Sequence, residues 1–175
     1  MSDLQYDGQT LRWKGYAFKA TSGMRGLQEP KFQCTSDGGP IPEGRYRLLL
    51  KVDKDYAHEE SGDVCGLLPA RPMQYIQRGR AGDPCEEVWA AWGRHRVRLE
   101  PADATTRGQC AGRRSGFYIH DSTKGYSHGC IEVEGSFFKV YVAEVASQPS
   151  KNPRKWLILD VKYTPGRPTN GGTKA

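Results

Sequence analysis

No stretch of this 175-residue chain is apolar enough to span a membrane. The start, Met1-Ser2-Asp3-Leu4-Gln5-Tyr6, has neither a basic n-region nor an apolar h-region, so no Sec signal peptide is expected. The glycine-rich stretches contain neither GxxxxGK[ST] nor GxGxxG, which argues against a backbone cradle for phosphate. No RNP, zinc-finger or helix-turn-helix pattern occurs, so nothing beyond charge points to nucleic acid. None of the five cysteines sits in a CxxC pair and no HExxH is present. A structural or catalytic zinc site therefore lacks its usual spacing, and no metal or cofactor is expected.

The net charge is +6. It suits an anionic partner such as a wall polymer, or simply a solvated basic face. The cysteines are Cys34, Cys65, Cys85, Cys110 and Cys130. Four could form two disulfides in an oxidising compartment and leave Cys130 free, or the four could be buried reduced thiols. The sequence leaves both open.

The patterning predicts a mostly β, β-rich α+β domain over residues 1–163 with one main helix. Leu4–Tyr6 and Thr10–Trp13 flank Asp7-Gly8, a hairpin signal. Lys14-Gly15 is a second turn, followed by a strand over Tyr16–Ala20. A polar, Gly-rich loop over Thr21–Gly39 leads to Gly39-Pro40-Ile41-Pro42-Glu43-Gly44, a rigid turn in which the prolines fix φ. An apolar strand over Arg45–Val52 follows. Residues Asp53–Asp83 read as an irregular insertion, and Glu87–Trp92 with His95–Leu99 as a hairpin. Pro101–Ser115 reads as a loop and Phe117–His120 as a short strand. Ser136 is placed to cap a helix from Phe137 to about Ser147. Its core face would carry Phe137, Val140, Tyr141 and Val145 at helical spacing. Trp156–Tyr163 reads as the closing strand. Thr164–Ala175, rich in Pro, Gly, Thr and Lys, is expected to be a disordered tail.

Chemistry concentrates in Phe117-Tyr118-Ile119-His120 and Ser127-His128-Gly129-Cys130-Ile131. A thiol becomes a nucleophile as the thiolate, and an adjacent imidazole can take its proton and leave a poised ion pair. Cys130 is the expected nucleophile and His120 the expected base. Gly129 permits a tight turn, so the amides of Gly129 and Cys130 could face a developing oxyanion. Ser127 and His128 are expected as supporting groups. Tyr118 shares the face of His120 if the strand holds, and would line the cleft or pack. Asp121, adjacent to His120 on a strand, points to the opposite face and is poorly placed to orient the ring. A zinc site built from His120, His128 and Cys130 is the rival reading of the same residues.

With His before Cys, and Cys130 leading into the strand-like Ile131-Glu132-Val133, the order is not that of papain-like enzymes. The segment resembles the signature of the YkuD-type L,D-transpeptidases, in which a strand ends in His and a later Ser/Thr-x-Gly-Cys carries the nucleophile. Gly39-Pro40-Ile41-Pro42-Glu43-Gly44-Arg45-Tyr46 is similar to that family's turn before its central strand. Tyr6-Asp7-Gly8-Gln9-Thr10-Leu11 resembles the start of a subgroup, the small L,D-transpeptidase-like effectors of type VI secretion. The resemblance runs from about Leu4 to Tyr163. Only Asp121–Tyr126 separate the two halves of the signature, as in that subgroup and unlike the larger wall enzymes.

The resemblance implies a YkuD-like β-sandwich or barrel with the helix after Cys130, and a backbone carbonyl orienting His120. It implies a cysteine acyltransferase acting on peptidoglycan tetrapeptide stems, as an L,D-carboxypeptidase or by D-amino-acid exchange. The implied setting is antibacterial: non-Sec export, action in the target-cell periplasm, a cognate immunity protein and contact with a secretion-apparatus component. An amidase or endopeptidase using the same pair, or a housekeeping cross-linking L,D-transpeptidase, are the alternatives within enzyme chemistry. A non-enzymatic basic module that binds anionic polymer is the alternative outside it.

Overall fold

A computed structural model describes residues 1–56, 67, 72–82 and 84–173. Its elements in chain order are β1 (Leu4–Tyr6), β2 (Thr10–Trp13), β3 (Tyr16–Ser22), β4 (Gly44–Leu49), β5 (Val52–Tyr56), β6 (Met73–Tyr75), α1 (Pro84–Trp92), β7 (His95–Arg98), β8 (Glu100–Pro101), α2 (Ala104–Gly108), β9 (Tyr118–His120), β10 (Ile131–Val133), α3 (Ser136–Ser147) and β11 (Trp156–Val161). The fold is mostly strand. The strands make one mixed sheet in the order β5-β6-β7-β9-β10-β3-β2-β1-β11-β4-β8.

Strand β3 joins its two halves. Tyr16–Lys19 pair antiparallel with β2, whereas Ala20–Ser22 pair antiparallel with β10. A strand that changes partners along its length lets the sheet curl over a core instead of extending flat. The N-terminal hairpins form as expected. Asp7 Oδ1 accepts from the Gln9 and Thr10 amides, both at 2.9 Å, and closes the first turn. Lys14 and Gly15 both have positive φ (51° and 82°), the geometry of a two-residue turn matched to strand twist.

The core is aromatic on the side of α3. Phe137, Phe138 and Tyr141 are buried, while Val140 and Val145 pack partly buried against the core. Phe137 meets Trp13 at 5.8 Å and Phe18 edge-on at 5.6 Å, and Phe138 stacks on His95 at 5.0 Å. One helix face thus bridges both halves of the sheet. Each such ring taken out of water contributes roughly 1.5–3 kcal/mol. Helix α3 begins at Ser136 itself, with Gly135 preceding it and no side-chain cap, instead of using Ser136 as the cap.

Several expectations change. Glu87–Trp92 is not a strand but most of α1, which opens on Pro84 and carries Glu86 and Glu87 in its first turn. Both features favour a helix N-terminus, and the Gly93 amide closes the other end on the Trp89 carbonyl at 2.7 Å. Part of the expected Pro101–Ser115 loop is α2, capped by Asp103 Oδ1 accepting from the Thr106 amide at 2.7 Å. The expected single helix is therefore joined by two others. The apolar run Arg45–Val52 divides, β4 ending at Leu49 and β5 starting at Val52. About half of the expected insertion (57–66, 68–71 and 83) lies outside the described residues, and the described half is not wholly irregular, since it carries most of β5 and all of β6.

The C-terminal segment expected to be disordered is seated on β3. Thr169 is buried; its amide donates to the Gln28 carbonyl (2.8 Å) and its carbonyl accepts from the Ser22 amide (2.9 Å). The Gly171 amide donates to the Ala20 carbonyl at 3.0 Å. Composition signals a chain that cannot build its own core, but backbone groups and threonine hydroxyls can still complete another strand's hydrogen bonds.

Cys34 and Cys110 form a disulfide, Cys85 is also disulfide-bonded, and Cys130 is the free thiol among the described cysteines. Of the two readings of cysteine use, the oxidised one holds for these residues. Cys65 lies outside the described residues. No helix among the described residues is long and apolar enough to cross a membrane.

Candidate active site

Strands β9 and β10 run parallel in the middle of the sheet, with Ile119 opposite Ile131 and His120 opposite Glu132. Residues in register across a sheet share a face, and so do alternate residues along a strand. Tyr118, His120 and Glu132 therefore lie on one face, with Cys130 at the entry to β10 beside Tyr118. The Tyr118 backbone N–H is directed at the Cys130 sulfur. The two halves of the sequence signature meet because neighbouring parallel strands carry them.

Cys130 and His120 line one cleft of about 240 Å³ with Ala91, Trp92, Lys124, Ser127 and His128. A second cleft of about 390 Å³ is walled by Ser36, Asp37, Arg113, Arg114, Ser115 and Phe117, and also reaches Trp92, His128 and Cys130. The thiol lies where the two meet. A third cavity, beside His95, Asp121 and Lys139, does not include Cys130.

His120 is only 2% exposed. Its Nδ1 lies 3.2 Å from Ser122 Oγ, and the Trp92 backbone carbonyl accepts a hydrogen bond from the ring. The Trp92 ring packs edge-on to the imidazole at 5.4 Å and to Tyr118 at 5.1 Å. Burial, with the Lys124 ammonium adding to it, lowers the His120 pKa to about 3. Burial also raises the Cys130 thiol to about 11, against the opposing pull of the Tyr118 N–H, Arg96, Lys124 and Arg114. Both shifts favour thiol and neutral imidazole at neutral pH over the poised ion pair expected from the residue types. Burial disfavours the imidazolium most strongly, while the half-buried sulfur keeps some contact with water, so proton transfer from thiol to ring is best made as attack proceeds.

The remaining sequence-selected residues build the loop. Ser127 Oγ donates to the Cys130 carbonyl and accepts from the Gly23 amide at 3.3 Å. The Gly129 amide also points at Ser127 Oγ (3.3 Å), so an oxyanion role for that amide requires it to leave Ser127. Gly129 has φ +116°, a region that L side chains rarely adopt. His128 is exposed, and its Nδ1 bonds the Asp37 carbonyl at 2.8 Å. His120, His128 and Cys130 do not form a metal-ligand cluster among the described residues. Tyr118 is buried under Trp92 and Arg96, the guanidinium lying 4.5 Å from its ring centroid. Asp121 accepts from the His95 amide (2.9 Å) and pairs with its ring Nδ1 (2.7 Å) instead of approaching His120.

Four contributors carry no motif. Arg114 donates to the carbonyls of Gln33 (2.6 Å), Pro40 (2.6 Å), Gly39 (2.9 Å) and His128 (3.3 Å). It clamps the Gly39-Pro40 turn to the Cys130 loop, and the Cys34–Cys110 disulfide ties Cys34, next to Gln33, to the segment that leads to Arg114. Trp92 enters from the C-terminal end of α1. Glu132 and Ser122 bond each other behind His120. Strand periodicity offered a signal for Glu132, two residues after Cys130 in an otherwise apolar strand.

No protein-family model matches the chain, and no curated protein matches it in sequence.

Proposed function

We propose that this protein is a cysteine acyltransferase that acts on peptidoglycan tetrapeptide stems. The observation carrying this reading is the meeting of Cys130 and His120 in one cleft at the ends of adjacent parallel strands. In this reaction the Cys130 sulfur attacks the carbonyl on the L-centre of diaminopimelate while His120 takes the thiol proton. The C–N bond to the terminal D-Ala breaks, and His120 returns the proton to the departing amine. A thioester remains. Water then yields the shortened stem as a carboxypeptidase product, and a free D-amino acid yields exchange.

The second cleft supports this reading. Arg113 gives it a basic group suited to a carboxylate of donor or acceptor, with the clamped Arg114 adding positive charge, and it opens on the same sulfur. The Cys34–Cys110 disulfide supports work in an oxidising compartment such as a periplasm. The resemblance to the YkuD-type effector subgroup implies an antibacterial toxin exported by a non-Sec route and paired with an immunity protein.

The test is incubation with purified tetrapeptide muropeptides, with and without a D-amino acid, followed by mass analysis. Loss of one D-Ala, or its replacement by the added amino acid, is expected, and Cys130→Ala should abolish both. Release of intact stems from the sugar, or unchanged muropeptides, would overturn the reading.

A further inference from the structure

Behind His120, on the side away from solvent, lies a carboxylate that the acyl-transfer step does not use. Glu132 is 0% exposed. It is held by the Gly125 amide at 2.7 Å, the Lys124 amide at 3.1 Å and the hydroxyls of Ser122 and Thr173. A buried carboxylate with this many donors is fixed in place, because each lost donor leaves a charged acceptor unpaired. Ser122, also buried, stands between Glu132 Oε2 and His120 Nδ1.

We infer that Glu132 and Ser122 are positioning residues for His120: the carboxylate takes the Ser122 hydroxyl proton, which turns the Ser122 lone pairs toward Nδ1 and holds the ring as its Nδ1–H tautomer. The ring's single proton then also serves the Trp92 carbonyl, and Nε2 is the free base that receives the thiol proton. The reasoning is one of proton count. A hydroxyl has one proton to give. If Ser122 gave it to Nδ1, Glu132 Oε2 would face an oxygen with no proton between them, inside the protein. A charged acceptor loses more by this than a neutral imidazole does. The direction of the chain is thus set by the buried charge, and the tautomer follows. Register places the carboxylate here: Glu132 is directly opposite His120 on the adjacent strand, and the Asp121–Tyr126 turn folds Ser122 and the two amides over it.

The catalytic assignment of His120 rests on the proposed acyl transfer, but the tautomer does not, so the test needs no substrate. Long-range ¹H–¹⁵N NMR of the ¹⁵N-histidine-labelled protein at neutral pH, with His120→Gln used for assignment, reads which ring nitrogen is protonated. Wild type is expected as Nδ1–H. Ser122→Ala should move His120 to Nε2–H or a mixture, and Ser122→Thr, which keeps the hydroxyl, should restore Nδ1–H. Glu132→Gln should weaken the preference; if it does not fold, the Ser122 pair still decides. With muropeptide substrate, Ser122→Ala should lower kcat about tenfold or more at nearly unchanged KM, within the range of general-base effects. An Nε2–H wild type, or an Nδ1–H ring untouched by Ser122→Ala, would overturn the inference whatever the outcome of the activity assay. Failure of wild type to release D-Ala would instead remove the acyl-transfer reading and leave the tautomer result standing.

Discussion

Glu132 lies opposite His120 in register across the β9–β10 pair, and Ser122 spans the two side chains. Next to this buried acid, His120 is itself too buried to hold a proton at neutral pH. The Cys130 thiol is only half-buried, yet burial raises it too. The site therefore combines a fixed imidazole with an uncharged nucleophile on a loop held by Arg114, and four consequences can be measured.

The first concerns alkylation. With the thiol raised to about 11, the thiolate fraction near pH 7 is on the order of a hundredfold below that of an ordinary cysteine. Modification of Cys130 by iodoacetamide should be slow at pH 7 and climb steadily through pH 8–10. Cys130 is the free thiol among the described cysteines, and Cys130→Ala gives the blank for any other. A rate already at its plateau between pH 5 and 7 would mean that a thiolate–imidazolium pair exists at rest.

The second concerns Gly129. A Cβ there would sit against the Arg114 guanidinium and 3.2 Å from both the Gly39 carbonyl oxygen and the Phe117 ring, at a φ of +116°. Gly129→Ala combines backbone strain with displacement of the arginine that holds the loop, and should cost about 1–3 kcal/mol of stability. Urea unfolding measures this. D-Ala release should fall far more than the folded fraction does, because Cys130 is the next residue. Full activity in the alanine variant would show that the loop tolerates a shifted Arg114.

Much of this was legible in the sequence, for reasons that differ from residue to residue. Asp7-Gly8 and Lys14-Gly15 announce their turns through local chemistry, and β1, β2, β10 and β11 follow from short apolar patterns, the last ending two residues before the expected Tyr163. Cys130 and His120 stand out because a free-thiol and imidazole motif has little use in a core. What stayed hidden depends on contacts distant in sequence. Glu87–Trp92 carries enough aromatic and apolar residues to imitate a strand, and only Pro84 and the two glutamates mark it as a helix. Arg114 looks like one more basic loop residue until the Gly39-Pro40 turn brings carbonyls to it. The tail from Thr164 has no hydrophobic pattern at all; its order comes from β3, some 150 residues earlier, as in the Gly171–Thr21 bond (sequence separation 150).

The third concerns the Cys34–Cys110 disulfide. It closes a loop of 76 residues in sequence separation and fastens the segment that presents carbonyls to Arg114 and His128. Cys110→Ala should destabilise the protein by about 2–4 kcal/mol, read as a shift in the urea midpoint. Loss of D-Ala release should persist under conditions where the variant is fully folded, since Asp37 and Gly39 help to set the position of the Cys130 loop. A variant as stable and as active as wild type would separate the disulfide from the site.

Acid sensitivity provides the remaining prediction. His120 has a folded pKa of about 3 against an ordinary value of 6.5, so the unfolded chain binds a proton there that the folded chain refuses. Its effect on stability is absent as a penalty above about pH 6.5 and grows as pH falls from there toward 3. Over that window the linkage amounts to several kcal/mol, on the order of 3–5. The Asp7 carboxyl, lowered by the Arg12 side chain and the Gln9 and Thr10 amides against the opposing effect of burial, adds to acid loss only at lower pH. Wild type should therefore lose Tm progressively from pH 6.5 downward. His120→Gln, which cannot take up the proton, should hold a flatter Tm between pH 6.5 and 4 even if it starts lower. Parallel curves for the two proteins across that range would mean that the imidazole is hydrated enough to protonate in the folded state, and the neutral resting pair would have to be given up.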